Sequence, residues 1–127
     1  MVIEPYLVGA GGMIGASLRH AVSTRVEGRA RVEGGGFPRG TFTVNVLGSF
    51  LLGLLTFAGI ENSAMLVFGV GLCGSFTTFS SFSVETIRLW EVGNAARAVA
   101  YAVGNFIGAV AAIGLARLVV VLTGGLL

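Results

Sequence analysis

Charge is what this chain lacks. Eight arginines and six glutamates make up 11% of its 127 residues, against about 25% in an ordinary soluble domain. So few polar side chains cannot cover a small globule, whose surface is large for its volume. The 54% share of apolar residues equally excludes a disordered chain, which needs low hydrophobicity. What remains is an integral membrane protein. Its 21 glycines suit that class, because glycine is commoner in membrane helices than in soluble ones. At about 20 residues per crossing, four helices with short connections use the whole length, with no room for a second domain.

The first predicted span runs from Tyr6 to Thr24, with Gly11 and Gly15 four apart on a bare face suited to close helix contact. A basic n-region and a convincing cleavage site are missing before it, so it reads as a retained span and not a signal peptide. The arginine-rich stretch Arg25–Arg39 follows, then a second span over Gly40–Gly59. The third segment, Ala64–Trp90, is interrupted by the polar run Gly74–Ser83. Serine and threonine compete there for backbone hydrogen bonds, and the pattern predicts a helix broken near its middle. Broken helices survive in a membrane only where the freed backbone is buried or lines a polar cavity. The last span covers Ala95–Leu122. The fold class expected is therefore all-α, with four transmembrane helices in a single domain.

Polar residues recur at helical spacing. Thr41, Asn45 and Ser49 line one face of the second span, and Tyr101 and Asn105 one face of the last. Such residues serve either as glue between helices or as a wet track for a polar solute. Phe76, Phe79 and Phe82 recur every three residues through the break, interleaved with hydroxyls. Aromatic rings carry a positive edge, so ring edges beside hydroxyl donors can solvate an anion without trapping it in an ion pair. Conduction requires that balance. Glu85 and Arg88, three apart, are spaced for a local ion pair. Cys73 reads as a small buried hydrophobe, and His20 carries no predicted chemistry. The scattered arginines make no nucleic-acid patch. With no carboxylate pair, metal-ligand cluster, catalytic triad or phosphate loop, the chain is not expected to be an enzyme.

Three stretches, Gly11–His20, Gly40–Phe50 and Gly71–Glu85, together resemble the Fluc (CrcB) family of fluoride channels, in order and over nearly the entire chain. The resemblance implies an antiparallel dimer with two narrow fluoride pores. It assigns Asn45 to the pore entrance side, Phe79 and Phe82 to ring-edge contacts, and Ser80 and Ser81 to positions between them. Thr41, Ser49, Tyr101 and Asn105 complete the pathway, and Arg19 stands at the vestibule. It also implies a structural sodium ion at the dimer centre, held by the backbone carbonyls of Gly74 and Thr77. The chain departs from the pattern at Asn105, where a serine is expected, and at Ala109, where a further hydroxyl is expected.

Two rival classes remain open. A small four-span multidrug transporter would centre on a carboxylate in the first span, but the only acid near it, Glu4, lies before it. A non-conducting partner subunit would explain spans and glycines but not the phenylalanine–hydroxyl break. Charge also bears on assembly. Arg25, Arg29, Arg31, Arg39, Arg88 and Arg97 fall on one side of a four-span chain, and only Arg117 leans the other way. Arginine-bearing loops stay cytoplasmic, which predicts both termini outside and one fixed orientation. The partner expected is a second copy or a homologous subunit inserted the other way, in an inner or plasma membrane.

Overall fold

The computed structural model describes residues 3–27 and 36–124. Helix α1 covers Glu4–Glu27 and α2 covers Arg39–Phe57. Most of the predicted Arg25–Arg39 loop falls on residues 28–35, outside the described residues. A composite helix, α3, opens with an α-turn at Asn62–Ala64, widens into a π-helix over Met65–Cys73, and returns to α geometry at Gly74–Phe76. Thr77 and Thr78 are extended, with ψ of 160° and 116°. The chain then re-enters helix as α4, Phe79–Glu91, and closes with α5, Ala95–Leu122.

Helix α2 is the central element, touching α1 and α3 on one side and α4 and α5 on the other. Two tight reversals join the rods. Gly59 (φ 71°) follows α2 and Gly93 (φ 80°) follows α4, where a left-handed residue lets the next N–H reach back to an orphan carbonyl. Ile60 N–H accordingly donates to Leu55 O and Asn94 N–H to Leu89 O, both at 3.0 Å.

Three helical stretches are long and apolar enough to cross a membrane: Arg39–Phe57, Asn62–Glu91 and Ala95–Leu122. At 24 residues, α1 has the length, roughly 36 Å at 1.5 Å per residue. It is less apolar because it holds Glu4, Arg19, Arg25 and Glu27. The core is small, centred on Leu89, Ala98 and Tyr101. Phe106, Ile107, Val121 and Leu122 point outward from α5. An outward apolar surface on this scale would be an association liability in water, whereas lipid is its natural solvent.

Helices α1 and α3 meet backbone to backbone. A methyl on Gly71 would come within 2.6 Å of the Val8 carbonyl oxygen. Methyls on Gly11 and Gly15 would overlap the Val67 and Leu72 carbonyls. The π-helix is the element that the sequence pattern did not indicate. Its apolar run, Met65–Cys73, meets α1 at Gly71, where both chains are bare backbone. Replacing Gly11 by valine should therefore unseat α1, because the opposing atoms are backbone and cannot rotate away. The expected result is loss of monodisperse protein on size-exclusion chromatography, with Gly9→Ala, which meets nothing within 4 Å, behaving as wild type.

Candidate functional site

The site lies where the Thr77–Thr78 interruption crosses α2 and α5. The interruption is narrower than the predicted polar run. Gly74–Phe76 remains helical, and α4 begins immediately after Thr78. The reason is local. Thr78 caps α4, its Oγ1 accepting the Ser81 N–H at 3.2 Å, as threonine does at helix N-termini. The same hydroxyl lies 3.1 Å from Ser81 Oγ and 3.3 Å from Ser80 Oγ.

Asn45 reaches the interruption from α2. Its Oδ1 accepts the Thr78 N–H at 2.8 Å. Its Nδ2 donates to Thr78 O and to Asn105 Oδ1, each at 3.2 Å. Asn105, buried on α5, donates from Nδ2 to the Tyr101 carbonyl at 3.0 Å. In a continuous helix the Thr78 N–H would go to Gly74 O and the Ser81 N–H to Thr77 O. Both are diverted, the first to Asn45 and the second to the Thr78 side chain. The carbonyls of Gly74 and Thr77 thus lose their helical partners, apart from a long 3.5 Å contact of Thr77 Oγ1 with Gly74 O.

A groove of about 390 Å³ opens beside this junction, bordered by Asn45, Ser49, Thr77, Thr78 and Asn105 on its polar side. Phe79 and Phe82 border it on the aromatic side, their rings 5.7 Å apart. Phe79 is 79% exposed, whereas Phe82 packs at 5.6 Å on the Tyr101 ring. No side chain that lines the groove is charged.

The remaining assigned residues sit elsewhere. Thr41 and Tyr101 are buried one turn before Asn45 and Asn105, and both bind Glu85. Thr41 Oγ1 donates to Glu85 Oε1 at 3.0 Å and Tyr101 Oη to Glu85 Oε2 at 2.6 Å. The local Glu85–Arg88 ion pair suggested by spacing is replaced by this cross-helix pair of hydroxyl donors. Ser80 and Ser81 cluster around the Thr78 cap and do not border the groove, and neither does Arg19, half-buried on α1. Sequence reasoning missed two members. Thr78 was signalled only as a capping residue before an apolar position. Glu85 was signalled as an intramembrane carboxylate, which is a functional candidate by default.

An amide–hydroxyl groove flanked by ring edges, at an interruption between apolar helices, is a pathway for a polar solute. The family model described as CrcB-like protein, Camphor Resistance (CrcB), matches residues 6–117. The chain belongs to the CrcB family. A relative from Haloarcula marismortui, named fluoride-specific ion channel FluC 2, is 57% identical over 111 residues, covering 87% of this chain and 88% of its own. FluC 1 of Halobacterium salinarum is 46% identical over 114 residues, 90% and 91% of the two chains. FluC 1 of Streptomyces avermitilis is 46% identical over 110 residues, 84% and 83% of the two. These CrcB relatives carry the name of ion channels, not enzymes. The family match spans all five helices and the whole junction built by Asn45, Thr78 and Asn105.

Proposed function

We propose that this chain conducts fluoride passively across the membrane and thereby lowers cytoplasmic fluoride. The observation that carries the reading is the uncharged groove of amide, hydroxyl and ring-edge groups, in a chain whose relatives are named fluoride-specific channels. Fluoride is small and strongly hydrated, so stripping its water requires close donors, which amides and hydroxyls supply. A fixed cation in the groove would hold it too tightly to leave. Phenylalanine edges complete the solvation without a formal charge.

The finer architecture belongs to the same reading. All four rods cross the bilayer, α1 included, with the Thr77–Thr78 break within the membrane and its freed backbone facing the pathway. Two chains pack antiparallel, and the groove, open along the exposed Phe79 and Phe106, is closed by the second chain. The arginine bias supports a fixed orientation with both termini outside, in an inner or plasma membrane. It favours a homologous partner of opposite bias, with a second copy of this chain as the alternative. Cysteine labelling at Gly36 in cells expressing this chain alone separates them. One-sided labelling fits an obligate unlike partner, and equal labelling from both faces with fluoride flux overturns it.

A structural sodium ion fits the chemistry of the break. Gly74 and Thr77 are the two residues whose carbonyls lose their helical N–H partners, and free carbonyls suit a hard monovalent cation. Open space lies where a Gly74 side chain would be, leaving room for a second chain to approach. Thr77→Ser is expected to leave flux within about twofold, since the ligand would be backbone. Replacing sodium by N-methylglucamine is expected to lower flux several-fold in a liposome assay. Unchanged flux in that cation would remove sodium from the assembly.

The functional reading itself is tested by growth. Expression in a strain stripped of its own fluoride export should restore growth at millimolar fluoride. Failure to rescue, with the protein present in the membrane, alone or with a homologous partner, would contradict it.

A further inference from the structure

The Asn45 amide has no hydrogen left to give. The orientations of both asparagines follow from chemistry, not from assignment. The Thr78 N–H can only donate, so it faces Asn45 Oδ1, which turns Nδ2 toward Thr78 O and Asn105. The Tyr101 carbonyl can only accept, so it faces Asn105 Nδ2, which turns Asn105 Oδ1 toward Asn45. An amide nitrogen carries two hydrogens. Those of Asn45 are both used, on Thr78 O and Asn105 Oδ1. Asn105 uses one, on Tyr101 O, and its second N–H has no hydrogen-bond acceptor among the described residues.

Resting on the fluoride-channel reading, we propose that Asn105, and not Asn45, presents the amide N–H that the anion meets, while Asn45 is a positioning residue. Asn45 clamps both backbone groups of Thr78, which keeps the turn extended and the Gly74 carbonyl out of the helical ladder. It also fixes the Asn105 amide through Oδ1, so the free N–H is held in one place beside the groove. Asn105 is 94% buried, being 6% exposed, yet it borders the groove. A buried donor with one hydrogen unspent beside a polar path is poised for an anion. The positions are divided by chemistry: α2 supplies the brace and α5 the donor.

The chain offers a clean readout, because it contains four asparagines, at 45, 62, 94 and 105, and no glutamine. A sample labelled with 15N-asparagine therefore gives four side-chain amide pairs, assigned with Asn45→Ser and Asn105→Ser. The intact channel, in bilayer discs, is titrated with sodium fluoride and then with sodium chloride, after liposomes confirm that the same preparation passes fluoride. We expect the Asn105 pair to shift saturably with fluoride and not with chloride, and the Asn45 pair to stay in place. Asn105→Leu, close in volume, should lower flux at least tenfold while the Asn45 pair remains resolved. A dominant shift at Asn45, equal shifts at both, or no shift at either in a conducting preparation would each overturn the assignment. Absence of flux from the wild-type liposomes would instead defeat the channel reading on which it rests.

Discussion

Replacing Phe79 or Phe82 by isoleucine is expected to reduce fluoride flux by at least tenfold, and the double variant by more, with the fold retained. Tenfold corresponds to about 1.4 kcal/mol on the barrier, a modest demand on two ring edges lost from an ion's shell. The two positions separate pathway from packing. Phe79 is 79% exposed, so its loss opens no core cavity. Phe82 rests on Tyr101 at 5.6 Å, so isoleucine there gives up some packing as well. A purely structural role would make Phe82→Ile the damaging change and Phe79→Ile silent. A pathway role makes both damaging. Stopped-efflux measurements on each variant, with size-exclusion profiles to show intact assembly, distinguish these outcomes.

The second large effect is expected at Glu85. Glu85→Leu would leave the Thr41 and Tyr101 hydroxyls buried without acceptors, at about 1–3 kcal/mol each. The loss should appear as a clear drop in melting temperature in detergent. Glu85→Gln keeps one carbonyl oxygen and turns an amide toward the other hydroxyl, so it should cost less. Pairing Glu85→Gln with Tyr101→Phe should cost less than the sum of the two, since they share one bond. Full additivity would show that the 2.6 Å contact contributes nothing to stability.

Periodicity shows which residues share a helix face, and it does so here for Thr41, Asn45 and Ser49 and for Tyr101 and Asn105. What it does not show is the neighbour each face meets. Glu85 illustrates the gap: its nearest opposite charge in sequence is Arg88, yet Thr41 and Tyr101 across the helix interface take both of its oxygens. The break was visible as a polar run but not its width, which depends on the Thr78 cap and on Asn45 arriving from 33 residues away. Gly11 and Gly15 announced a close helix contact, while the π-helical surface that receives them left no trace in residue type. Asn45 was legible as a costly buried amide; that its donors are already spent became visible only once Asn105 and Thr78 stood beside it.

The most direct test of the central claim is fluoride efflux from liposomes that contain this chain, alone and with a homologous subunit, loaded with fluoride and uncoupled by a potassium ionophore. A fluoride electrode should record rapid passive release with no proton gradient, and a chloride electrode no comparable release under the same conditions. Release of neither ion, from a properly reconstituted protein in either composition, or equal release of both, would contradict a fluoride-selective channel.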